Sequence, residues 1–190
     1  MEFVNEHYHV VMTVEQMPRL EQFNIVHNPK DIKTGDFYMA RVLRISKFNG
    51  ETISVALLDI VCSGYDPCAV LEGNIMTVIL FSAIVRIDLD TGLIVQYVEC
   101  DNMGGLFEIY PIENGYIIWG EGGIFRYDFE LNRVWFFSGR DILVSLIKDK
   151  HFWIEDDLIH CRDFDGWHYI LNFDGKLLCN FLETSDSETL

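Results

Sequence analysis

The chain has 190 residues, of which 49% are hydrophobic, and this is enough apolar material to bury the core of one ordinary domain. Disorder is therefore excluded for all but the ends, and the net charge of −16 argues against binding to nucleic acids or anionic membranes through general electrostatics. Five cysteines without a Cys-x-x-Cys pair, no signal-peptide pattern and no membrane-length apolar run predict a cytoplasmic protein without a disulfide framework.

The first third of the chain, residues 1–64, is predicted to be an N-terminal β segment that packs on the same domain as the rest. Its clearest element is a hairpin over 38–62, because Asn49-Gly50 favours the positive φ angles of a two-residue hairpin turn. Helical spacing is visible only over 13–23, where Pro18 permits at most a short helix.

The remainder is predicted to be three β-meander repeats over 65–181, followed by a disordered acidic tail over 182–190. Segments of four to eight residues, rich in β-branched and aromatic types, alternate with turns throughout this region. In the last repeat, strands are predicted over 143–147 and 151–155 and in the three apolar segments that follow.

Three landmarks recur in these repeats. An arginine precedes an aspartate in each copy, and the aspartates Asp88, Asp128 and Asp163 lie 40 and 35 residues apart. A tryptophan, Trp119 or Trp153, lies nine or ten residues before the second and third aspartates. Turn-like segments with a similar spacing complete the pattern, and they occur at residues 72–74, 113–115 and 148–150.

A period of 35 to 41 residues with four strands per unit resembles the blade of a β-propeller. One four-stranded meander cannot bury both of its faces, so neighbouring meanders must stack on it. The resemblance implies an all-β fold of repeated four-stranded antiparallel meanders, forming a small or incomplete propeller to which the 38–62 hairpin contributes a further blade. A meandering β-sandwich is the alternative.

The recurring Arg-Asp pairs are candidate site residues. A residue pattern that is repeated in every unit, however, is more typical of a structural role than of a catalytic one. Side chains two apart on a strand share a face, so the arginine and aspartate can pair or support a turn. The positions concerned are Arg86 with Asp88 and Asp90, Arg126 with Asp128 and Glu130, and Arg162 with Asp163 and Asp165. Arg162 and Asp163 are adjacent rather than two apart, so the third copy departs from the pattern.

Metal-ligand residue types cluster near the end of the third repeat, at His160, Cys161, Asp163, Asp165 and His168. Neighbouring residues on a strand point to opposite faces, so His160 and Cys161 cannot ligate together, and we expect Cys161 to pack inward. His7 and His9 form a second candidate chelate, but a solvated N-terminal strand explains them better. The sequence therefore predicts no metal site.

Catalytic signals are weak. No nucleophile motif is present, and the glycines of residues 119–125 lack the lysine and helix of a phosphate-binding loop. Glu108, two residues before Tyr110, is a carboxylate candidate for glycoside hydrolysis. The four tryptophans Trp119, Trp135, Trp153 and Trp167 could stack on sugars, although packing between repeats explains Trp119 and Trp153 better. We assign no catalytic or cofactor-binding residue.

The favoured function is a non-enzymatic protein-interaction module with a basic protein partner. Small acidic β-rich proteins of this size loosely resemble bacterial immunity proteins, and that resemblance implies a toxin as the partner. A glycan or small-ligand binder and a glycoside hydrolase are the alternatives. We expect a monomer or a weak dimer formed through edge strands, with no cofactor, nucleic-acid or membrane partner.

Overall fold

The computed structural model describes residues 1–33, 35–62, 64–101, 104–145 and 150–183. Strands dominate these ranges, and the only helical segment within them is a single 3-10 turn over Leu20–Gln22. No helix in the described part of the chain is both long enough and apolar enough to span a membrane. The prediction of an all-β fold built from repeated four-stranded meanders is confirmed.

An N-terminal sheet of five strands opens the chain, in the order β1-β2-β4-β5-β3. Asn49 and Gly50 lie in the turn between β4 and β5, but only Gly50 has a positive φ, at 94°. The loop comprises residues 48–50, closed by the hydrogen bond from Lys47 N–H to the Glu51 carbonyl oxygen, so the prediction of a two-residue turn was wrong. β3 runs parallel to β5, so this sheet is not a meander of the repeated kind. The strands are β1 Glu2–Val4, β2 Tyr8–Gln16, β3 Ile25–His27, β4 Met39–Lys47 and β5 Thr52–Asp59.

Three antiparallel meanders follow, each with its four strands in sequence order. The first meander comprises β6 Ala69–Glu72, β7 Ile75–Ile79, β8 Ala83–Asp88 and β9 Ile94–Glu99. The second comprises β10 Leu106–Ile112, β11 Gly115–Gly120, β12 Gly123–Tyr127 and β13 Arg133–Phe137. The third comprises β14 Phe152–Glu155, β15 Leu158–Arg162, β16 Trp167–Asn172 and β17 Leu177–Leu182.

The chain divides into two compact units. The first contains Met1–Asp101 with Leu106–Glu108, and therefore the N-terminal sheet and the first meander. The second contains Asn102–Gly105 with Ile109–Leu190, and therefore most of the second meander and the third.

In the first unit, small and branched residues of β4 and β5 form a buried face against which the segment between β2 and β4 packs. Asp59, at the end of β5, is fully buried and lies 2.9 Å from Lys30 Nζ. Its carboxylate also accepts the backbone N–H of Phe81, at the turn between β7 and β8. The Asp59 carboxylate therefore joins the N-terminal sheet to the first meander, and Lys30 neutralises it.

In the second unit, aromatic rings fill the space between the second and third meanders. Trp119 on β11 stacks on Phe152 on β14, with ring centroids 5.7 Å apart and planes within 7°. Phe137 on β13 meets Tyr169 on β16 edge to face at 5.4 Å. Such pairs are the favoured geometries of buried rings, and they hold the two sheets face to face.

The third repeat begins later than its landmarks predict. Asp88 and Asp128 lie at the turn between the third and fourth strands of their meanders, but Asp163 lies between the second and third strands. The counterpart of Asp88 and Asp128 is Asn172, which lies 44 residues after Asp128. A shift in strand register confirms this alignment. In each meander the shift occurs two residues before the aligned position, directly after Arg86, Arg126 and Ile170.

The prediction went wrong because the two kinds of turn share the same hydrogen bonds. Asp128 Oδ1 accepts the N–H of Asn132 at 2.7 Å, and Asp163 Oδ1 accepts the N–H of Trp167 at 2.8 Å. Asn172 Oδ1 holds the corresponding turn through the N–H of Lys176 at 2.9 Å. An aspartate can therefore mark a turn without showing which turn of the meander it is.

Other predictions for the last repeat also change. Trp119 lies on a second strand and Trp153 on a first strand, so the two are not equivalent. Residues 143–145 are not strand, and residues 146–149, which include most of the proposed 148–150 turn, lie outside the described residues. Of the predicted tail, residues 184–190 also lie outside them, whereas Leu182 ends β17.

Candidate functional site

The second unit contains an open cleft of about 770 Å³ between the second and third meanders, here called the turn cleft. Three turns at the same end of the two sheets form its rim: β10–β11, β14–β15 and β16–β17. Its lining residues are Tyr110, Pro111, Ile112, Glu113, Asn114, Arg126, Ile154, Asp157, Asn172, Phe173 and Asp174. This volume lies within the usual range of ligand pockets.

Carboxylates dominate the rim of the turn cleft. Glu113, Asp157 and Asp174 are all exposed, and each comes from a different turn. Among the described residues of the lining, Arg126 is the only cation; it is largely buried, and Asp174 Oδ1 lies 3.7 Å from its Nη1. The rim therefore keeps a net negative charge after this pairing.

Arg126 is the one predicted scaffold residue that reaches the turn cleft. Its Nη1 donates to the carbonyl oxygen of Phe173 at 3.1 Å, and Trp135 Nε1 donates to the same oxygen at 3.0 Å. Arg126 thus holds the β16–β17 turn of the neighbouring meander in place. Asp128 instead supports its own turn, and hydrogen bonding from Asn132 lowers the pKa of its carboxyl group.

Two histidines meet on the face of the third meander that is opposite to Phe152 and Tyr169. His160 Nδ1 on β15 lies 3.1 Å from His168 Nε2 on β16. Burial lowers the pKa of both imidazoles. The structure thus brings together two of the five residues of the predicted metal-ligand cluster.

Side chains around the two imidazoles fix their orientation. The Trp153 ring stacks on His160 with centroids 4.8 Å apart and planes within 9°. Glu183 Oε1 lies 2.9 Å from His168 Nδ1, and Arg162 donates to both oxygens of that carboxylate, at 2.9 and 3.1 Å. We call His160, His168, Glu183 and Arg162 the imidazole cluster.

The other three residues of the predicted cluster lie elsewhere. Cys161 is fully buried on the opposite face, where burial raises the pKa of its thiol, and it packs inward as predicted. Asp163 is buried and accepts the hydroxyl hydrogen of Tyr169 at 2.6 Å. Asp165 lies exposed in the β15–β16 turn. Among the residues that the structure describes, no three His, Cys, Asp or Glu side chains are arranged to hold a metal ion.

The remaining candidates do not form a site together. His7 precedes β2 rather than lying on it, while His9 contacts Glu2 at 2.6 Å, so the predicted pair does not share a strand. Glu108 is half-buried on β10 and does not line the turn cleft.

The tryptophans do not line the turn cleft either. Trp119 is buried between the two meanders, and its Nε1 donates to the carbonyl oxygen of Leu143 at 3.0 Å. Trp135 packs beneath the β16–β17 turn, where its ring lies against Gly175. Trp167 lies against the Arg140 guanidinium, 3.7 Å from the ring centroid.

Sequence reasoning missed the turn cleft. Its rim comes from turns that are 17 to 61 residues apart in the chain, as between Glu113, Asp157 and Asp174. One sequence signal could have indicated the cleft: acidic residues occur in the first and third turns of the meanders. This pattern can be seen only when the strands of the third repeat are aligned correctly.

No protein-family model matches this chain, and no curated protein sequence matches it. Among solved structures, the chain is similar to Raptor from Chaetomium thermophilum, with a TM-score of 0.57 and 16% identity over 80% of this chain and 15% of that one. It is also similar to the computationally designed protein Ika8, with a TM-score of 0.51 and 8% identity over 78% of this chain and 47% of that one. The chain thus spans less than half the length of either protein.

These identities are too low to transfer an activity, so the likeness concerns the fold alone. The neighbours include β-propeller-type proteins and designed repeat proteins, in agreement with the repeated meanders of this chain. The all-β fold is thus propeller-like in its repeats.

Proposed function

We propose that this chain is a non-enzymatic protein-interaction module whose turn cleft receives basic side chains of a partner protein. The observation that carries the proposal is the rim of the cleft, where Glu113, Asp157 and Asp174 converge from three turns. A basic toxin is one partner of this chemistry. We also propose a cytoplasmic location, since its five free thiols are typical of reducing compartments.

The lining of the turn cleft supports a side-chain ligand. The aromatic residues Tyr110 and Phe173 and the aliphatic Ile154 offer apolar surface beneath a charged rim. A lysine or arginine has an apolar stem and a charged end, so its stem can contact that surface while its cation meets the carboxylates.

Whole-molecule charge supports the same partner. A net charge of −16 accelerates encounter with a cationic protein, and this effect weakens as salt rises. The glycan alternative depended on tryptophans, and none of them lines the turn cleft. The observations therefore favour a basic protein over a sugar.

Charge reversal at the rim tests the proposal. We expect Glu113→Lys together with Asp157→Lys to weaken binding of an oligoarginine peptide by about tenfold or more, because attraction becomes repulsion at the cleft. Isothermal titration calorimetry at low and physiological salt provides the measurement.

The matched control is a variant with two charge reversals outside the cleft, Asp165→Lys together with Glu21→Lys, because both residues are exposed and neither lines the turn cleft. This variant has the same net charge as the rim variant and should retain most of the affinity. Equal weakening by the two variants would show that the peptide responds only to net charge, and the turn cleft would then not be the site.

A further inference from the structure

The imidazole cluster lies outside the turn cleft and plays no part in the proposed interaction. Its two histidines come from adjacent antiparallel strands, with Arg162 directly opposite His168 in the register. Two ring nitrogens face each other at 3.1 Å. We propose that His160 Nδ1 and His168 Nε2 together bind a divalent transition-metal ion of the Zn²⁺, Ni²⁺ or Cu²⁺ class, with water completing the coordination.

The distance between the two nitrogens fits such an ion. Zinc binds histidine nitrogen at about 2.0–2.1 Å, so two imidazoles on one tetrahedral ion have their nitrogens about 3.3 Å apart. The separation of 3.1 Å is within a few tenths of an ångström of this distance, and binding requires the two rings to turn from hydrogen-bond geometry until both lone pairs point at the ion. Imidazole ligands suit zinc, nickel and copper, whereas magnesium and calcium prefer oxygen.

Without metal, one nitrogen of the facing pair donates a hydrogen bond to the other. Metal binding requires both nitrogens to offer a lone pair. When the His168 proton is on Nδ1, beside Glu183, the donor is His160 Nδ1. His160 then meets this condition by moving its proton from Nδ1 to Nε2, so both imidazoles stay neutral and no oxidant or reductant is needed.

The surroundings of His168 support coordination. Metal-binding histidines are commonly oriented by a carboxylate at their other ring nitrogen, and Glu183 occupies that place at 2.9 Å from His168 Nδ1. Arg162 and the backbone hydrogen bond from Glu183 to Gly166 hold this carboxylate in turn. Trp153 fixes the ring of His160 by stacking.

Charges near His160 include both signs. Three carboxylates and two cations act on the two imidazoles. The carboxylates are Glu155, Asp156 and Glu183, and the cations are Lys150 and Arg162. Because the chain supplies two ligands, we expect a weaker site than a four-ligand structural zinc site.

Titration of tag-free protein with zinc chloride tests the proposal. We expect one saturable site by calorimetry, with affinity reduced at least about tenfold in His160→Asn and in His168→Asn, since either change removes one of two ligands. Glu183→Gln should weaken zinc binding by about tenfold through loss of the orienting charge, without removing a ligand.

Loss of folding is separated from loss of binding in two ways. Circular dichroism of each variant reports its fold, and NMR of the unaltered protein should show zinc-dependent shifts of the His160 and His168 ring signals. The control His7→Ala with His9→Ala should bind zinc normally. Absence of saturable binding, or loss of binding in the His7 and His9 control, would overturn the proposal.

Discussion

At the scale of single residues, burial decides the chemistry of the thiols. Cys179 is exposed on β17, whereas Cys161 is fully buried on β15. Cys62 is half-buried, and burial raises the pKa of its thiol to about 11. The thiolate is the reactive form, so cysteines that differ in burial differ in their reactivity as nucleophiles.

We therefore expect Cys179 to react first with iodoacetamide in the native protein. A pKa of about 11 leaves roughly one thiol in 3000 deprotonated at pH 7.5, so Cys62 should react slowly at this pH and faster as pH rises. Peptide mass spectrometry after timed quenching measures the order. Denaturant should make all five cysteines reactive, and native modification of Cys161 before Cys179 would contradict the structure.

At the scale of elements, the β16–β17 turn lines the turn cleft, and its conformation depends on a glycine. Gly175 in the β16–β17 turn has a φ of 79°, and a Cβ atom there would lie 2.6 Å from the Trp135 ring. Gly73 in the β6–β7 turn has a φ of 58° and no atom within 4 Å of such a Cβ. Both glycines therefore need a positive φ, but only at Gly175 would an added side chain also collide with a neighbour.

We expect Gly73→Ala to cost about 1 kcal/mol, because alanine disfavours the left-handed region. Gly175→Ala should cost about 1–3 kcal/mol more, since its Cβ also forces Trp135 away from the turn. Urea denaturation of both variants gives the comparison. Equal losses would mean that the contact between Gly175 and Trp135 contributes nothing.

The position of each turn within its meander is also decided at the scale of elements. Asp128, Asp163 and Asn172 hold turns through the same kind of hydrogen bond. Sequence spacing could not separate them, because turn chemistry is local whereas strand position depends on pairing partners. Only the ladder between β15 and β16 shows that Asp163 belongs to the second turn of its meander.

At the scale of whole units, a buried ion pair of the N-terminal segment makes hydrogen bonds to the first meander. Lys30 and Asp59 are 11% and 0% exposed, and Asp59 also accepts N–H groups from Ile60 and Phe81. Lys30 donates further to Ser82 at 3.0 Å. Removing one charge would leave the other buried without its partner, which is costly.

Asp59→Ala should lower the free energy of unfolding by about 3–5 kcal/mol. Glu15→Ala is the control, because its partner Arg44 is 49% exposed and such surface pairs contribute at most about 1 kcal/mol. Chemical denaturation at neutral pH measures both values. A loss for Asp59→Ala as small as that for Glu15→Ala would contradict a role for this pair in joining the two sheets.

The sequence by itself determined the all-β class, most of the strands and the meander as repeating unit, because strand patterns and turn residues act over a few neighbours. The Asn49-Gly50 hairpin is an example of such a local signal. Composition likewise determined the strong negative charge and a core made without disulfides.

Only the tertiary structure decided which distant residues meet. Glu113, Asp157 and Asp174 form one rim because two meanders stack, and His160 faces His168 because of the β15–β16 register. Glu183 completes that cluster from beyond β17. These positions depend on sheet pairing and packing between residues far apart in the chain, which local propensity does not encode.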